Sequence, residues 1–151
     1  SIAGATVSYN PFFGSHWSQT ADGSQIEILR GTVCETIDML SDFAERVGDR
    51  LPRFKISDEE ASDAVYGVFH TWDTDEPTKA LIGALGAYFV RIAEHATVRR
   101  GDLLESNGDG CARVQKNRHM LSSTIGKVSA AVVIETYPDG SYLVPCTLHC
   151  G

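Results

Sequence analysis

VRRGDLLESNGDGCARV, residues 98–114, is the stretch whose reading decides the fold. A charged turn, Arg99-Arg100-Gly101-Asp102, opens it. Leu103 and Leu104 follow, then a second turn at Asn107-Gly108-Asp109-Gly110, then Cys111–Val114. Asn-Gly and Asp-Gly supply the positive-φ positions that tight reversals need, so the stretch predicts a β-hairpin written in turn chemistry.

Downstream of the hairpin, Lys116–His119 reads as a basic loop. Ser123–Tyr137 reads as one long strand or two, around Ile125, Val128, Val132, Val133 and Ile134. Pro138-Asp139-Gly140-Ser141 is a turn, and Tyr142–Cys150 returns as the last strand. Upstream, Leu81–Ile92 is apolar, and Gly83 and Gly86 favour a bent strand over a helix. Val65–Trp72 is rich in β-branched and aromatic residues and predicts a strand. Arg53–Ser57 predicts another with one wet face. Asp58–Ala64 is one helical turn or a loop. Ile26–Leu29 and Gly31–Thr36 read as two short strands. Ile37, Leu40, Ala44 and Val47 recur at helical spacing with Phe43 beside them. Thr36 as N-cap and Gly48 as stop complete the prediction of a short helix near 37–47. Residues 1–20 read as an extended arm containing an aromatic loop, Asn10–Ser18. The expectation is one domain over 1–151, mainly β with α+β as the variant. Its predicted form is a compact antiparallel sheet or barrel with one helix.

The 151 residues suffice for one domain with a core. Net charge is −7, from 20 acidic against 13 basic residues, which argues against a nucleic-acid surface. The apolar run 80–90 is interrupted by glycine and too short to span a bilayer, so no membrane partner is expected. No signal-peptide pattern opens the chain, and Ser1 at its head reads as a processed or excised end. Cys34, Cys111, Cys146 and Cys150 are expected as thiols packed like small hydrophobes. In a strand, Cys146, Leu148 and Cys150 share one face and His149 takes the other, which argues against a zinc site in this cluster.

No phosphate loop, dinucleotide fingerprint, HExxH or G-x-S-x-G is present, and no cofactor is expected. Asp102, Glu105 and Asp109 are read as solvated rather than as a carboxylate cluster. Of the five histidines, His70 is placed by period two on one strand face with Tyr66, Val68 and Trp72. His16 draws interest because Ser15 and Ser18 are near it in sequence, although a general base must reach its hydroxyl within about 3 Å.

The order of parts carries a resemblance. GSHWSQ (14–19), ILRGTVCETID (28–38), VYGVF (65–69) and LGAYFVRI (85–92) lead into GDLLESNGDGCARVQ (101–115). SSTIGKV (122–128) and DGSYLVPCTLHCG (139–151) close the chain. This resembles the C-terminal intramolecular-chaperone domains of bacteriophage tail fibres, tailspikes and neck appendages, which trimerise and release themselves by autoproteolysis. The resemblance implies a homotrimer, an upstream fibre segment as partner, and a place in the virion tail or in the host bacterial cytoplasm during assembly. It implies serine-type self-cleavage just before Ser1, with the Ser1 hydroxyl as nucleophile and the Ser15-His16 loop, or Lys127, supplying the proton acceptor. The alternative is a permanent, non-enzymatic trimeric tip, in which Phe12, Phe13, Trp17 and Trp72 form contacts or stack on a host glycan.

Overall fold

The computed structural model describes residues 13–43 and 50–150, and ten strands with no helix lie among them. They are β1 (Phe13–Ser18), β2 (Val33–Leu40), β3 (Pro52–Ile56), β4 (Val65–Trp72) and β5 (Ala80–Ile92). β6 (Leu103–Ser106), β7 (Ala112–Val114), β8 (Gly126–Val128), β9 (Glu135–Thr136) and β10 (Tyr142–His149) follow. The mainly-β expectation holds, and a closed five-strand barrel with extra strands is its form.

The long strand β5 is the shared spine. Its first half pairs antiparallel with β1 on one edge and β4 on the other, through Ala80–Gly83. Its second half pairs with β10 from Leu85↔His149 to Tyr142↔Ile92. The circuit β5-β7-β6-β8-β10 closes when β10 returns to β5, and its one parallel step is Ile92↔Ala112. The same ten-stranded sheet continues from the first half of β5 through β4 and β2 to β3. Gly67 permits this approach: a Cβ there would stand 2.2 Å from the Gly83 carbonyl oxygen. An expected bent strand at 81–92 is therefore present, and its bend lets one strand serve both layers.

Two cores match the two layers. Val90, Ile92, Leu104, Ile125, Val128, Val144 and Leu148 fill the barrel. Phe54, Phe69, Ile82 and Cys34 fill the second, with Trp72 and Tyr66 packed against it. Each fully buried apolar side chain contributes about 1.5–3 kcal/mol relative to exposure.

The hairpin expected at 98–114 is present as β6 and β7, with Gly108 at φ 87° and Gly110 at φ 82°. Its turn does more than reverse the chain. Gly110 N–H donates to Ser57 O, Val33 N–H donates to Gly110 O, and Asn107 bridges to Glu60. The tip is thereby inserted between the ends of β2 and β3.

Several expectations are corrected. The helix near 37–47 is absent where the chain is described: 33–40 is β2, and 44–49 lie outside the described residues. Thr36, the expected N-cap, instead gives its N–H to Ala64 O, and Met39 and Leu40 are exposed rather than on a buried helix face. The strand expected at 26–29 is irregular, and β2 begins only at Val33. The aromatic loop becomes strand from Phe13 onward. Within 123–137 only the short β8 and β9 are strand.

Candidate functional site

Ser1 and Phe12 lie outside the described residues, as does the side chain of Phe13. Ser15 and His16 are consecutive on β1, so their side chains leave opposite faces of the strand. Ser15 is exposed, whereas His16 is half-buried and stacks on Tyr66 with ring centroids 5.1 Å apart and planes 13° apart. The structure therefore brings His16 to Tyr66 rather than to Ser15. Trp17 is exposed, on the Ser15 side. Trp72 belongs to the second core: its ring packs on Phe54 and Phe69, and its Nε1–H donates to Ile26 O at 3.1 Å.

Period two fails for His70 because the ladder shifts register beside it. One irregularity falls between Phe69 and Thr71 and another opposite Cys34–Glu35. Val68 consequently enters the barrel core while Tyr66 and Trp72 pack on the other core. His70 Nδ1 hydrogen-bonds the Tyr88 hydroxyl, and burial, followed by the Arg30 charge, lowers its pKa.

The cysteines lie where alternation puts them. Cys146, Leu148 and Cys150 point inward and His149 outward. All four thiols are free and buried, and burial pushes Cys146 and Cys150 up to about 12 and Cys111 to about 11. Cys150 Sγ donates to Ile125 O at 3.3 Å. Among the described residues no group of three or more His, Cys, Asp or Glu is placed to hold a metal.

Glu35, Ser57 and Ser106 form a buried polar chain where β2, the end of β3 and β6 meet. Ser57 Oγ donates to Glu35 Oε2 at 2.7 Å, and the two serine hydroxyls lie 2.6 Å apart. Arg91 ties a second junction, donating to Thr32 Oγ1 at 3.1 Å and Ser141 Oγ at 2.8 Å and pairing with Asp139. Both arrangements are internally hydrogen-bonded; the Glu35 chain is buried, whereas Asp139 and Ser141 of the second also line a surface pocket.

Elsewhere lies a cleft of about 660 Å³ with Arg99, Arg100, Arg118 and Lys127 in its lining. Asp102 is its only carboxylate, and His149 contributes an imidazole. The turn is clamped to β8: Gly101 N–H donates to Val128 O, Val128 N–H to Asp102 O, and Arg99 N–H to Asp102 Oδ2. Sequence reasoning singled out Lys127 and the charged turn separately but missed the cleft, because residues 99, 100, 118 and 127 share no spacing. Only the β6–β8 and β8–β10 pairings bring them together.

Comparison with protein-family models gives no match, and comparison with curated proteins gives none either.

Proposed function

We propose that this chain is a permanent, non-enzymatic assembly module of the phage-fibre type, associating as a homotrimer at the end of a longer fibre or tailspike protein. The observation that carries the reading is the exposed run Val132-Val133-Ile134, each side chain half or more exposed. It leads directly into β9, the outermost strand beyond β10. Ser129 N–H still reaches Pro145 O and Ile134 N–H reaches Leu143 O, so the residues between them bulge away from an otherwise continuous edge. Consecutive exposed β-branched residues beside the outermost strand suit contact with another chain. In a chain of net charge −7, association through an apolar edge also avoids bringing charged faces together.

Light scattering on the purified chain tests this reading. The expected particle has three times the chain mass, and the double substitution Val132→Ser/Val133→Ser converts it to monomer with the β circular-dichroism spectrum retained. A wild-type monomer at high concentration, a dimer, or a trimer untouched by the double substitution overturns the proposal.

A further inference from the structure

We infer that the cleft between the Arg99–Asp102 turn and the β8 face is a binding site for a small ligand carrying two or more phosphate groups. This goes beyond the assembly reading and rests on different residues. Four of the chain's 13 lysines and arginines line this one cleft, against a single carboxylate, in a protein with an acidic excess. Among the described residues, none of the four is in an ion pair, whereas Arg53, Lys55, Lys79, Arg91 and Arg113 all are. Like charges left together without partners repel, so their convergence is a cost unless an anion joins them.

The frame that holds them is built without using their charged heads. The turn is fixed to β8 by backbone hydrogen bonds. The loop bearing Arg118 is knitted from below: the Gln115 side-chain amide donates to Asn117 O and His119 O, while its oxygen accepts from Thr124 Oγ1 at 2.6 Å. Gln115 is itself 5% exposed, so this brace is part of the core. Lys127 projects from β8, held between β6 and β10. Guanidinium forks from fixed backbone suit phosphate oxygens, which they engage in pairs. The one carboxylate offsets only one of the four cations and leaves the cleft with an excess of positive charge; Asp102 Oδ2 is held at the turn by the Arg99 N–H at 2.7 Å.

Size and net charge narrow the ligand. A cavity of about 660 Å³ lies within the roughly 300–1,000 Å³ range of small-molecule sites. A long nucleic acid would meet the acidic remainder of the surface beyond the cleft, whereas a compact oligophosphate is contained by it.

Calorimetry and thermal unfolding with tripolyphosphate, with inorganic phosphate for comparison, test the site on the full chain. Tripolyphosphate is expected to bind at least about tenfold more tightly than phosphate, because more cations are engaged at once. It should raise the melting temperature in a concentration-dependent way. Arg118→Gln/Lys127→Gln, both exposed positions, should weaken binding at least about tenfold, as should Arg99→Gln alone, since each removes a charge-assisted contact. Lys79→Gln, at an ion-paired position outside the cleft, should leave it unchanged. Flotation with phosphatidic-acid vesicles asks whether the phosphate groups are presented by a membrane: vesicle binding lost in Arg118→Gln/Lys127→Gln supports the same site with a lipid headgroup as source. No tripolyphosphate binding at millimolar concentration overturns the inference. So does equal loss in Lys79→Gln, or tight binding to single-stranded RNA without binding to tripolyphosphate.

Discussion

Ser57→Ala is the sharpest probe of how the two layers are joined. Ser57 and Ser106 are 1% and 0% exposed, and the Glu35 residue they serve is 3% exposed. The directions in this chain follow from counting protons. Ser57 has one hydroxyl proton and gives it to Glu35 Oε2 at 2.7 Å. Ser106, 2.6 Å away, must therefore donate to Ser57, while Gly108 N–H donates to Ser106 Oγ at 3.1 Å. Alanine at 57 removes a hydrogen bond to a charged acceptor, about 1.5–3 kcal/mol, and strands the Ser106 hydroxyl at a further cost of about 1 kcal/mol. Lys55 Nζ, 3.5 Å from Glu35 Oε1, remains as a partner for the carboxylate, but its side chain is 44% exposed and screens weakly. The expected loss is about 3 kcal/mol, or about 6–12 °C in melting temperature at this chain length. Thermal and urea unfolding followed by circular dichroism measure it. In the double-mutant cycle, adding Ser106→Ala should cost clearly less than in the wild type, with a coupling of at least about 0.5 kcal/mol. A single variant within about 0.5 kcal/mol of wild type, or strict additivity in the cycle, refutes the proton assignment and the importance of this joint.

Asp139 is held at about 2 chiefly by the Ser141 hydroxyl and backbone N–H, with Arg91 assisting. Its folded pKa is depressed, so its contribution is present above the ordinary carboxylate value and lost as pH falls toward 2. Asp139→Asn should therefore lower stability at neutral pH, modestly because the carboxylate is half-exposed, and flatten acid unfolding in that window so that the two proteins converge as pH falls toward 2; an unchanged acid limb counts against the assignment. The buried thiols, with Cys34 also raised by burial, should resist an aromatic disulfide reagent at pH 8 in the folded protein and react on denaturation. Rapid stoichiometric labelling of the native chain would contradict their burial.

What could be read along the chain was what local chemistry decides. Asn107-Gly108-Asp109-Gly110 makes its turn from its own residues, and Cys146, Leu148 and Cys150 alternate because β10 is regular. The helix expected from Ile37 and Leu40 failed because the groups that hold β2 are remote: Phe54 and Ile56 pair with it on one side and Val65–Val68 on the other. His70 was misplaced for a related reason, since a register shift is a property of two strands rather than one. The barrel closure was illegible because it depends on one parallel step, Ile92↔Ala112. The cleft was illegible because its four cations come from a turn, a loop and a strand whose proximity is a consequence of that closure.

The two functional proposals share a strand junction and still separate experimentally. Lys127 is in β8, and Val132 follows five residues later, a span of at most about 18 Å of extended chain. Association through the Val132–Ile134 edge would therefore place a neighbouring copy close to the cleft, and linkage then makes each event sensitive to the other: a ligand that binds the assembled form more tightly must raise assembly by the same factor. Serine at 132 and 133 changes no charge, so it removes the apolar edge while leaving the cations in place. Glutamine at 118 and 127 removes charge while leaving the edge. Tripolyphosphate affinity that survives in the monomeric Val132→Ser/Val133→Ser protein would make the cleft a site of the single chain. Affinity that vanishes with the trimer, in a variant that keeps all four cations, would mean that a second copy completes it.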